Sequence, residues 1–237
     1  MVKLGLCGFT MSAAEYFRTF GVVEVQQTFY QPPETRTLER WRITAPPGFE
    51  FTMKAWQLIT HRATSRTYRR LRTPLTAAQK EEAGAFQLTP TVLEAWKTSL
   101  RCARILHATA ILFQCPASFR AIEENVASMR RFFGAIERPA GVTLLWEPRG
   151  DWPDELVRGL CEELELVHAV DPFGRPSLTP HLTYWRLHGT SGAYHVYSDD
   201  ELRQLIAWLP SEGETYVMFN NVPRVADAAR FREMMRT

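Results

Sequence analysis

Eight short apolar runs, separated by longer stretches with helical spacing, constrain this chain more than any other feature. The runs are Lys3–Cys7, Val22–Val25, Glu50–Ala55, Ala110–Gln114, Thr143–Glu147, Glu165–Val170, Leu182–His188 and Thr215–Asn220. Runs this short suit buried strands, whereas the intervening segments are long enough for amphipathic helices. Alternation of the two gives a parallel sheet wrapped by helices, and eight repeats give a (β/α)8 barrel of the TIM type. Helices are expected at Ser12–Thr19, Glu34–Thr44, Thr91–Leu106, Ser118–Phe133, Pro153–Leu164, Asp199–Leu209 and Arg224–Met235. Cap chemistry supports two of them. Ser198 precedes Asp199, Asp200 and Glu201, which places a hydroxyl acceptor and then acids at the positive end of a helix. Asp151 stands two residues before Pro153, a residue suited to a first turn.

No composition shift or low-complexity tract divides the 237 residues, so residues 1–237 read as one α/β domain. Irregularity is expected at Arg62–Leu88, a long excursion after the third run that carries arginines, Pro74 and small residues. The 45% apolar and 23% charged content is ample for a packed core. With 28 basic and 26 acidic residues the net charge is +2, so any attraction for a polyanion must be local. Cys7, Cys102, Cys115 and Cys161 form no C-x-x-C pair, which argues against a zinc module or a disulfide framework and fits a reducing cytoplasm. The apolar start is too short for a signal peptide, and no uncharged apolar run reaches about 18 residues, so no membrane partner is expected.

Side chains two apart on a strand share a face. Tyr184, Arg186 and His188 therefore oppose Trp185 and Leu187, and Met218 and Asn220 oppose Val217 and Phe219. If the large apolar partners face the helices, Glu24, Lys54, Gln114, Glu147, Arg186, His188 and Asn220 all point inward near the C-terminal mouth, where barrels of this type place their active sites. Two readings share that geometry. The groups line a ligand pocket, or they neutralise one another as a buried ion network that plugs the barrel.

The residues that carry a family resemblance run in order along nearly the whole chain: Val23–Tyr30, Pro46–Phe49 leading to Phe51–Lys54, Ile59–His61, Leu112–Phe119, Trp146–Arg149 with Trp152, Arg186–Gly189, and Phe219–Asn221. In this the chain resembles the family called domain of unknown function 72, or YecE-like proteins. The resemblance implies a TIM-type barrel and supplies no activity. The chain departs from the usual pattern at Cys7–Thr10, at Gln26–Gln27, and at Cys115 and Ala117.

Several chemistries are open to these groups. Glu147 and Glu24 are candidate acid and base, with His188 as a third candidate catalytic group. Lys54, His61, Gln114, Arg149, Arg186, Asn220 and Tyr30 are candidate substrate-binding residues, and guanidinium forks suit phosphate or carboxylate. A small anionic ligand is the expected partner. An enzyme acting on a phosphorylated or carboxylated metabolite, or on a phosphodiester, leads the readings; a hydrolase, lyase or isomerase would each fit. A non-catalytic anion sensor is the alternative. No cofactor motif stands out. A divalent metal, in a nuclease-like or isomerase-like barrel, would draw on His61, His188, Glu24, Glu147 and Asp171, against the repulsion of the neighbouring Arg and Lys. Arg62, Arg66, Arg69, Arg70 and Arg72 put five positive charges in one stretch with no intervening acid, which reads as a solvated face, a lid or a phosphate track. Tyr68 alone is a thin signal for nucleic acid. Cys7 and Cys115 read as small buried residues, and Gly189–Gly192 as a flexible turn.

Overall fold

The computed structural model of the chain describes residues 1–236. Eight parallel strands close into a barrel in sequence order, with the last pairing to the first. They are β1 (Val2–Cys7), β2 (Val22–Val25), β3 (Glu50–Lys54), β4 (Ala110–Gln114), β5 (Thr143–Glu147), β6 (Val167–Val170), β7 (Leu182–Leu187) and β8 (Glu214–Phe219). Around them lie α1 (Ala13–Thr19), α2 (Gln27–Tyr30), α3 (Thr35–Thr44), α4 (Gln57–Thr60), α5 (Ala77–Glu82), α6 (Pro90–Leu106), α7 (Glu123–Ala135), α8 (Asp154–Glu163), α9 (Asp199–Ala207) and α10 (Arg224–Met234). Among the described residues no helix is long and apolar enough to cross a membrane.

Strand parity divides the core into two layers. Val23, Phe51, Ile111, Phe113, Leu144, Trp146, Trp185, Val217 and Phe219 face the helices, where Phe86, Trp96, Phe132 and Phe133 close around Phe113. Val22, Ala110, Leu112, Leu145, Ala169, Tyr184 and Met218 fill the barrel itself. Gly5 is required in that inner layer, because a Cβ there would lie 2.3 Å from the carbonyl oxygen of Val22 and 3.0 Å from Met218 Cε.

Differences from the sequence expectations are local. α7 starts at Glu123 rather than Ser118, because Phe119 N–H closes a turn onto Pro116 O at 2.9 Å and Ile122 N–H another onto Arg120 O at 2.8 Å. β6 starts at Val167: Glu165 takes a left-handed φ of 48° while Leu166 N–H bonds back to Cys161 O, so Glu165 and Leu166 belong to the exit from α8. α8 begins one residue late, so Pro153 is its N-cap and Asp151 caps nothing. Ser198 and Glu201 do form the reciprocal capping box of α9. α2, α4 and α5 span only four to six residues, too few for a 3.6-residue period to register.

The excursion after β3 is tied at its neck. Gly84, Ala85 and Phe86 donate backbone hydrogen bonds to Leu58, Thr60 and Ile59 at 2.8, 3.3 and 2.9 Å. Gly84 (φ 87°) has no room for a Cβ, which would sit 2.3 Å from His61 O. The loop between carries a 3-10 turn at Arg66–Arg70 and folds back on the barrel, where Tyr68 Oη donates to His61 O at 2.7 Å.

Candidate functional site

The ends of β2, β5 and β7 bring one guanidinium between two carboxylates. Arg186 grips Glu24 with both arms, Nε to Oε2 at 3.0 Å and Nη2 to Oε1 at 2.8 Å, and directs Nη1 to Glu147 Oε2. All three side chains are 4% exposed or less. Removing three charges from water costs several kcal/mol per ion unless each is matched, and here the remaining acceptor sites are served too. Tyr184 Oη donates to Glu24 Oε2 at 3.0 Å and contacts Thr52 Oγ1 at 2.7 Å, and Gln26 Nε2 donates to Glu24 Oε1. Burial is the largest single influence and pushes both carboxyls up, but the charge of Arg186 together with the hydrogen bonds and cations around each carboxylate outweighs it. Glu24 is held below the ordinary carboxylate range, and Glu147, with Arg149 and His188 also against it, well below. Both are ionised at neutral pH.

Glu147 leads outward. Its Oε1 receives Arg149 Nη2 at 2.9 Å and His188 Nε2 at 3.0 Å. The other ring nitrogen, Nδ1, faces Asn220 Nδ2 at 2.9 Å. In the neutral tautomer that serves Glu147, Nε2 carries the hydrogen and donates to the carboxylate, while Nδ1 accepts from the amide. Arg149 Nη2 also lies 2.9 Å from His188 Nε2, a consequence of both converging on one oxygen. The His188 backbone N–H is anchored on Asp171 Oδ2 at 2.8 Å. Side-chain exposure rises along this path, from 1% at Arg186 to 21% at His188 and 37% at Arg149. Arg149 Nε is buried without a hydrogen-bond partner.

Lys54 occupies a separate corner. Its ammonium meets Gln114 Oε1 at 2.5 Å and lies 3.7 Å above the Phe29 ring, with no carboxylate in ion-pair contact among the described residues. Burial and the Arg186 charge lower its pKa to about 7. His61 packs edge-on against the same Phe29 and bonds Thr60 through Nδ1 at 2.8 Å; burial, with Lys54 adding to it, takes its pKa down to about 4, so it is neutral.

Thus Glu24, Glu147, Arg186, His188, Arg149 and Asn220 form one network, Lys54, Gln114 and His61 adjoin Phe29, and Tyr30 stands apart, stacked under Arg70 at 4.4 Å. Among the described residues, no group of three or more His, Cys, Asp or Glu is arranged to hold a metal ion. Asp171 instead serves the backbone N–H groups of His188 and Phe173. Cys7 and Cys115 are buried, and burial pushes both thiols up, so neither is a ready nucleophile. Gln26, Phe29, Tyr184 and Asp171 contribute more than the sequence suggested. Tyr184 and Gln26 carried a signal by sharing parity with Arg186 and Glu24, and Asp171 was weighed only as a metal ligand.

Comparisons with known proteins agree with this architecture. No curated protein matches the chain. Among solved structures, a DUF72 family protein from Enterococcus faecalis V583 superposes with a TM-score of 0.72 at 20% identity, over 100% of this chain and 98% of the other. A DUF72 family protein from Thermotoga maritima MSB8 gives the same score and identity with both chains fully covered. A D-psicose 3-epimerase shares the barrel at a TM-score of 0.58 and 12% identity, over 98% of this chain and 94% of the other. Residues 11–237 match the family described as "Protein of unknown function DUF72", and the chain belongs to that family.

Proposed function

We propose that the barrel mouth binds a small anionic ligand, phosphorylated or carboxylated, and exchanges a proton with it through His188. The observation that carries this reading is the arrangement at Glu147 Oε1. A carboxylate kept ionised from within by Arg186 fixes His188 Nε2 as an N–H donor and leaves Nδ1 as the basic nitrogen. A ligand hydroxyl or acidic C–H then competes with Asn220 for Nδ1. Arg149 lies alongside, half-buried and with a buried, unpartnered Nε–H, and so supplies positive charge for the ligand's anionic group.

This changes the part assigned to Glu147. With Arg186, Arg149 and His188 all stabilising its charged form, it is a poor proton donor and a weak base; its role is to orient and polarise the imidazole. Glu24, fully enclosed and held by Arg186, Tyr184 and Gln26, keeps Arg186 in place. An epimerase and an AP endonuclease, family 2, from Brucella melitensis both share the barrel, so the fold alone does not choose a reaction.

The test is turnover of phosphorylated and carboxylated metabolites by wild type, His188→Gln and Glu147→Gln. Loss of turnover in both, with ligand binding retained, supports the reading. A ligand that raises the melting temperature of the wild type yet is recovered unchanged would instead make the mouth a sensor.

A further inference from the structure

A second cationic surface lies beside the mouth. The loop after β3 projects Arg69, Arg70 and Arg72 into a groove of about 870 Å³ that Tyr30, Glu34, Arg36 and Trp41 also line. Several arginines elsewhere have acids: Arg104 has Glu137, Arg130 has Glu163, Arg203 has Asp200, and Arg230 has Asp199. Arg69, Arg70 and Arg72 have no carboxylate in ion-pair contact among the described residues, and Arg36 meets only the exposed Glu34, at 2.7 Å. In a protein of net charge +2, such a gathering repels itself unless a ligand answers it.

The groove is built rather than incidental. Gln31 Oε1 accepts the backbone N–H groups of Arg72 and Thr73 at 3.1 and 3.4 Å, fixing the arginine loop to the residue that follows α2. The Arg70 guanidinium stacks on Tyr30, which holds both flat faces at the groove. α2 itself is the partition: its buried Phe29 supports Lys54 inside the barrel, while Tyr30 faces the groove.

We propose that this groove binds the phosphodiester backbone of a single-stranded nucleic acid, with the arginines on successive phosphates and Tyr30 and Trp41 as stacking faces. A chain of phosphates answers several separated cations at once, which one small anion cannot do. Aromatic faces at the same groove favour unpaired bases over a duplex, whose bases are already stacked. The site is distinct from the mouth and does not depend on its chemistry.

The experiment is fluorescence polarisation with a labelled oligothymidylate of about twelve nucleotides. Three or four phosphate contacts predict saturable binding that weakens about 20- to 50-fold between 50 and 200 mM salt. The double variant Arg69→Ala/Arg72→Ala should bind at least about tenfold more weakly at low salt, with a log–log salt slope shallower by about 1.4. Tyr30→Leu should cost roughly tenfold, and His188→Ala should bind as wild type. The proposal is overturned by absence of saturable binding at 50 mM salt, by equal affinity in the double variant, by thymidine monophosphate or inorganic phosphate competing as well as the chain, or by retention on phosphatidylserine vesicles without oligonucleotide binding.

Discussion

The two ends of the barrel solve the same problem with the same stoichiometry, one cation between two carboxylates. At the N-terminal end Lys3 Nζ lies 2.5 Å from Glu50 and 2.6 Å from Glu214, with Tyr216 Oη donating to Glu50 at 2.7 Å. At the C-terminal end Arg186 lies between Glu24 and Glu147. The N-terminal set is partly solvated and centres on a point charge whose partners have no onward contacts to loops at the mouth. The C-terminal set is sealed, centres on a rigid fork, and spends one carboxylate oxygen outward on Arg149 and His188. A self-contained triad closes a barrel. One with a free arm can also hold a reactive group, and that contrast invites direct tests.

The largest expected effect is at the sealed end. Arg186→Met leaves two carboxylates buried without their cation and should cost about 3–5 kcal/mol in chemical denaturation. It should also remove an acid limb. Because the folded carboxyls titrate below the unfolded value of 4.5, the wild type has their full stabilisation above that pH and loses it as acid drives the pH down through the depressed folded values. Next, Glu147→Gln should lower turnover about 100-fold with the fold retained, measured on whichever anionic metabolite proves to be the substrate. Lys3→Met, at the solvated end, should cost less than the Arg186 change, about 2 kcal/mol, and leave turnover unchanged.

A smaller effect concerns Lys54. Its folded pKa of about 7 lies below the unfolded 10.5, so between those values the unfolded chain binds the extra proton and stability rises with pH, by about 1.4 kcal/mol per unit at most. Lys54→Met should flatten that rise between pH 7 and 9; an unchanged slope would mean the amine is not buried as described. Smallest of all, Arg130→Ala should leave the denaturation midpoint unchanged, since the Arg130–Glu163 pair is exposed on both sides.

The barrel was legible because period-two parity and element length are carried by many residues at once: one misjudged position, such as Glu165, moves a strand start without altering the topology. Parity also placed Glu24, Glu147, Arg186, His188 and Asn220 together. It did not separate the tiers, since the order of burial along Arg186, Glu147, His188 and Arg149 depends on how far each strand rises and on the loops above. Tyr30, a candidate binding residue in the sequence, stands away from the mouth network, because the single turn of α2, invisible to periodicity, places it at the groove. The arginine loop showed its charge in sequence but not its partner wall, because Arg36 and Trp41 reach it only through tertiary packing.

The measurement closest to the central claim is NMR of the His188 ring during addition of inorganic phosphate. If the outer arm of the sealed triad is an anion site, the His188 resonances shift saturably, and Arg149→Ala abolishes the shift while leaving the other histidine signals alone. Resonances of His188 that stay fixed through the titration would contradict it.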